Sequence, residues 1–147
     1  MRLSELSHEF VDAIPENLDE GRIYISMRYR TASHLCACGC RSKVVTPIRP
    51  AKWKLTYDGD TVSLSPSIGN WQKACRSHYW IRNNKIIWTR AWSDEEIETG
   101  RQRDAHDLRQ YYQRRAVIDE PPTTTAKSGI LGRLGFGWLL RYLKRRP

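Results

Sequence analysis

Cys36-Ala-Cys-Gly-Cys40 puts three thiols at alternate positions, and Cys75 supplies a fourth. How these four cysteines are used decides the architecture of the chain. A disulfide between cysteines two apart is badly strained. The cysteines instead match the needs of zinc, which takes four ligands in a tetrahedron and suits soft thiolates. In an extended strand, alternate side chains share one face, so the run from Cys36 to Cys40 is expected to aim its thiols together. Gly39 permits the tight backbone that wraps an ion. The expected metal ligands are Cys36, Cys38, Cys40 and Cys75, with zinc as a structural ion. His34 and His78 are each placed to replace one of the four. The plain alternative is a set of free buried cysteines.

Working outward, the flanking segments read as strands. Arg22–Tyr29 shows partial alternation with aromatic and β-branched residues, and Lys43–Ile48 is a second such run. Trp53–Tyr57 and Thr61–Ser65 flank Asp58-Gly59, while His78–Arg82 and Lys85–Trp88 flank Asn83-Asn84. Both dipeptides tolerate positive φ and predict hairpins. The expected fold is mainly β with an α appendage: a small zinc-stabilised antiparallel sheet or partly open barrel, then a helix and a basic tail.

Ser93-Asp-Glu-Glu96 has the form of a capping box and predicts a charged helix from Asp94 to about Val117. Its acids come early and Arg114-Arg115 late, as the helix dipole favours. Pro121-Pro-Thr-Thr-Thr125 reads as a linker. The chain thus divides into a β-rich domain (1–92), a charged helix (93–118), and a linker with a basic amphipathic tail (119–147). The segment from Ile130 to Leu143 could lie on an anionic membrane, enter a partner's groove, or dock on its own domain.

The 147 residues carry a net charge of +9. That balance favours acidic partners, nucleic acid among them, without choosing between them. The opening residues are too polar for a secretory signal, and no apolar run is long enough to span a bilayer. The expected location is cytoplasmic, where thiols stay reduced.

With the cysteines assigned to a metal, His34, Ser67, Ser77 and His78 remain as polar groups that the metal draws together. Val62–Trp71 is expected to leave its strand and turn at Pro66 and Gly69. A serine at such a turn, ahead of the amides of Gly69 and Asn70, suits a nucleophile with an oxyanion site. His78 or His34 would be the general base. The plainer reading has Ser67 capping a turn and His78 packing under Trp80. His8 and His106 lie in polar surroundings and are expected to be solvated.

His34-Leu-Cys-Ala-Cys-Gly-Cys40, Ser65-Pro-Ser-Ile-Gly-Asn-Trp71 and Cys75-Arg-Ser-His-Tyr-Trp-Ile81, followed by Trp88, stand in this order. Over about residues 10–92 the chain resembles a bacterial family with H-x-C-x-C-G-C, P-S-I and C-x-S-H-Y-W-I blocks. Ala37 stands where many relatives have proline, and Arg41 where glycine is frequent. Members occur beside genes for bacterial ubiquitin-like conjugation enzymes. The resemblance implies a zinc-containing serine peptidase that matures or removes a ubiquitin-like protein, with conjugation enzymes as further partners. It makes Ser67 the nucleophile and His78 or His34 the base. Two other functions fit the composition. One is a non-catalytic zinc-ribbon-like module for nucleic acid or a conjugation-pathway protein. The other is a hydrolase whose zinc, held by two cysteines and a histidine, activates water.

Overall fold

The computed structural model describes residues 1–119, which form eight strands and one helix. Strands β1 (Ser7–Phe10), β2 (Arg22–Ser26), β3 (Thr31–Leu35) and β4 (Lys43–Pro47) make one sheet in that order. Strands β5 (Lys54–Tyr57), β6 (Val62–Gly69), β7 (His78–Arg82) and β8 (Lys85–Trp88) make a second sheet, also in chain order. Both sheets are open, as expected of a small β-rich domain.

The turn residues explain the meanders. Asn83 and Asn84 both take positive φ, at 49° and 64°, which is the backbone a two-residue hairpin requires. The Asn84 side chain also accepts from the Val62 amide at 2.9 Å, tying this turn to the start of β6. At the β5–β6 loop the Asp58 carboxylate accepts from the amides of Asp60 and Thr61. These bonds hold its pKa down to about 2. The predicted strand 22–29 stops earlier, at Ser26, because Met27–Arg30 form a turn with Arg30 at φ 50°.

The first strand departs from expectation. β1 pairs with β2 in parallel, Ser7 opposite Arg22. Just before it, Leu6 donates to the Asn84 carbonyl and Ile86 to the Ser4 carbonyl, each at 2.8 Å or less. The N-terminal segment therefore runs along β8 in one sheet before it joins β2 in the other.

Both sheets feed one buried cluster. Ile23, Ile25, Ala32 and Val44 come from the first, and Val62, Leu64, Tyr79 and Ile81 from the second. Leu6, 1 % exposed, fills the space where the N-terminal segment crosses. Burying such side chains contributes roughly 1.5–3 kcal/mol each before chain entropy is charged against it.

Helix α1 (Asp94–Asp119) begins at the capping box. The Ser93 Oγ accepts from the Glu96 amide at 3.2 Å, and Glu96 accepts from the Ser93 amide at 2.9 Å. Ion pairs Arg76–Asp94 and Arg90–Glu96 tie its first turn to the β domain, and Ile97 is its buried apolar anchor. No helix among the described residues is long and apolar enough to cross a membrane. The linker at Pro121–Thr125 and the amphipathic segment from Ile130 lie outside the described residues.

Candidate active site and metal centre

Ser67 sits in an irregularity of β6. Leu64 faces Ile81 and Ile68 faces Tyr79, so Ser65, Pro66 and Ser67 together span the single β7 residue Trp80. The reason is local: Pro66 has no amide hydrogen to give to a ladder. The sequence expectation of a turn at Pro66 is thereby corrected, since the strand bulges there and continues to Gly69. A bulge re-aims the side chains it carries.

The Ser67 Oγ lies 2.9 Å from His78 Nε2. On the other side of the ring, His78 Nδ1 is 3.0 Å from the Arg90 carbonyl oxygen. A carbonyl only accepts, so Nδ1 carries the proton and donates it to Arg90. The lone pair of Nε2 is then turned to the serine hydroxyl, which donates to it. A backbone carbonyl here holds the imidazole as a carboxylate does in a Ser-His-Asp arrangement.

Aromatic rings enclose the histidine. His78 meets Trp71 and Trp92 edge-on at 4.8 and 5.1 Å, and the two indoles stack on each other at 5.5 Å. Trp80, the partner of the plainer reading, does not take this role; its ring carries the Arg82 guanidinium instead, at 4.6 Å. Gly69 is dictated by the same packing: a Cβ there would sit 2.3 Å from the Trp71 indole nitrogen.

A cavity of about 200 Å³ opens on the pair, lined by Trp53, Pro66, Ser67, Gly69 and His78. Its opposite wall is helix α1, through Ile97, Gly100, Arg101 and Asp104. Gly100 lets the helix come close to Trp92, since a Cβ would approach the indole to 3.0 Å.

The four cysteines converge as well. Their Sγ atoms all lie within 4.8 Å of one another. Cys36 Sγ is 3.4 Å from Cys38 Sγ and 4.0 Å from Cys75 Sγ. A tetrahedral zinc with Zn–S bonds of about 2.3 Å separates its sulfurs by about 3.8 Å, so the donor set fits such an ion. The convergence is not made by strand alternation. β3 ends at Leu35, and residues 37–40 form a turn closed by the Gly39 amide on the Cys36 carbonyl at 3.0 Å. Gly39 at φ 85° and Arg41 at φ 56° curl the chain back.

Polar groups surround the sulfurs. Asn70 Nδ2 donates to Cys36 Sγ at 3.4 Å, and the Ser77 Oγ lies 3.0 Å from the same atom. A hydrogen bond from Ser42 draws the Cys40 thiol down to about 6, whereas burial pushes Cys38 up to about 12.

His34 is placed elsewhere. It is fully buried, and its Nε2 is 2.8 Å from the Tyr79 hydroxyl, with no partner for Nδ1 among the described residues. Burial lowers its pKa to about 4. Neither ring nitrogen of His34 is bonded to Ser67, and neither histidine joins the thiol cluster. His8 lies against the Asn84 side chain, and His106 against Gln110.

Three features escaped the sequence reading. Asn70 and Ser77 bridge the two sites: Asn70 Nδ2 donates to the Ser77 Oγ at 2.8 Å, and the Asn70 amide to the Ser77 carbonyl at 2.9 Å. This second bond occupies the Asn70 amide, which had been counted as an oxyanion donor. The Arg90 carbonyl carries no residue signature at all. Trp92 lies outside every block of the family resemblance.

A family model described as "Bacterial ubiquitination-like system serine protease (BubE)" matches residues 10–89. Comparison with curated proteins and with solved structures gives no match.

Proposed function

Since the chain belongs to the BubE family of serine proteases of bacterial ubiquitination-like systems, we propose that it cleaves the C-terminal tail of a ubiquitin-like protein, with Ser67 as nucleophile and His78 as general base. The observation that carries this reading is the relay from Ser67 Oγ through His78 to the Arg90 carbonyl, at 2.9 and 3.0 Å.

His78 Nε2 takes the Ser67 proton as Oγ bonds to the scissile carbonyl carbon. The Arg90 carbonyl holds Nδ1–H and steadies the imidazolium that forms. His78 then returns the proton to the leaving amine, and the C–N bond breaks. Water attacks the acyl-enzyme with His78 again as base, releasing the tail as a carboxylate and restoring the serine. Trp71 and Trp92 restrict water around the ring, which strengthens both hydrogen bonds.

Cys36, Cys38, Cys40 and Cys75 would hold a zinc ion. Ligation by four thiolates leaves the ion no open position, so bound zinc supplies a structural clamp. Through Asn70 and Ser77 that clamp would set both ends of the 70–77 loop, and with them Trp71 and His78. Partners are then the ubiquitin-like protein or its conjugates, together with enzymes of the same system.

Ser67→Ala tests the assignment. Cleavage of a ubiquitin-like protein carrying a C-terminal extension is expected to fall to background, with zinc content and melting temperature kept. Persistent cleavage by this variant removes Ser67 from the mechanism.

A further inference from the structure

We infer that the substrate is held as an added β-strand along the open edge of β6, hydrogen-bonded to the backbone of Gly69 and covered by helix α1. This rests on the protease reading above.

The β5–β6 ladder ends at Lys54 opposite Ser65, yet β6 runs on for four residues to Gly69. The chain that would continue β5 is diverted. Trp53 instead pairs with Ile48, donating its amide to the Pro47 carbonyl at 3.3 Å. Among the described residues, no strand lies beside β6 from Ser67 to Gly69 on the side away from β7.

Gly69 presents its polar backbone to that side. In an antiparallel ladder, opposed residues alternate between exchanging hydrogen bonds and turning their N–H and C=O groups outward. Asn70 donates to Ser77, so the preceding pair, Gly69 and His78, is of the outward kind. The His78 carbonyl confirms this by accepting from Thr89, on the β8 side, at 3.1 Å. Gly69 must then direct its N–H and C=O away from β7, two residues from the Ser67 nucleophile. An open edge of this kind is a template for an extended peptide.

The cavity lies at that edge, with Trp53 on one flank and α1 on the other. At about 200 Å³ it is smaller than the roughly 300–1,000 Å³ that drug-sized ligands occupy. It suits an extended backbone with small side chains. The occupant is therefore an unfolded peptide tail, not a folded surface.

The test uses the full chain and a semisynthetic ubiquitin-like protein whose tail and short extension carry one N-methylated amide at a time. N-methylation removes a single donor. At the residue opposite Gly69, kcat/KM is expected to fall about tenfold or more. The residues on either side of it should be tolerated, because successive amides of a strand point to opposite edges. Equal rates for all the methylated tails would overturn the inference. If the unmodified parent is cut by the wild type and not by Ser67→Ala, the protease reading stands whatever the scan shows. An uncut parent sinks that reading, and this inference with it.

Discussion

At the scale of single residues, the surroundings of His78 fix one tautomer. His78 has a carbonyl on one nitrogen and a serine on the other, so its proton sits on Nδ1 without a third side chain. Asn70 and Ser77 matter for a different reason, since they join the cysteine cluster to the loop that ends at His78. Asn70→Ala would remove the bonds to Cys36 Sγ and to Ser77 Oγ and leave a buried hydroxyl short of a partner. A stability loss of about 1–3 kcal/mol is expected in urea unfolding. Zinc affinity, read by competition with a chelator, should fall about 10–100-fold. Unchanged affinity would separate Asn70 from the metal centre. The sequence brought Ser67 and His78 forward because serine and histidine in a recognisable block carry a chemical signature. It could not choose between His34 and His78, as both stand near cysteines. The difference is made by Tyr79, which engages His34 inside the core.

At the scale of elements, the site depends on how β6 ends and how α1 begins. Gly69→Ala places a methyl where the Trp71 indole lies. The indole must leave its stack on Trp92, so near-UV circular dichroism should change and activity fall, while far-UV signals persist. An unaltered near-UV spectrum would contradict the packing described. The first turn of α1 holds the segment that carries the Arg90 carbonyl. Its Glu96 carboxylate is drawn down to about 2, chiefly by Arg90 and then by the Ser93 amide. A depressed carboxyl contributes stability above its unfolded pKa of about 4.3, and the contribution is lost as pH falls through about 2. The difference in melting temperature between wild type and Glu96→Gln should therefore be constant above about pH 5 and shrink steadily towards pH 2. A difference that does not vary over this range would rule out the ion pair as its source. These elements were partly legible. Asn83-Asn84 announced its hairpin to the residue, because positive φ is a local demand that the sequence states. The parallel pairing of β1 with β2 leaves no such mark, as its partners are joined by a long loop, whose turn residues do not say which strands pair or in which direction.

At the scale of the whole molecule, two open sheets share one core, and the helix that follows walls the cavity beside Ser67 and His78. The mainly β character, the helix and the cysteine cluster could all be read from periodicity, capping and spacing. That α1 would wall the cavity at Ser67 could not, because Ile97, Gly100, Arg101 and Asp104 are meaningful there only once β6 and β7 are in place. The same holds for the turn at 37–40, where a strand was the simpler expectation for alternating cysteines. The bulge of β6, the His78 ring and the wall of α1 meet at the Ser67 hydroxyl. The most direct test is to treat the protein with a fluorophosphonate and locate the adduct by peptide mass spectrometry. Modification of Ser67 is expected, slowed about 10²–10⁴-fold in His78→Ala and absent in Ser67→Ala. An adduct on another serine, or labelling of Ser67 that is indifferent to His78, would contradict it.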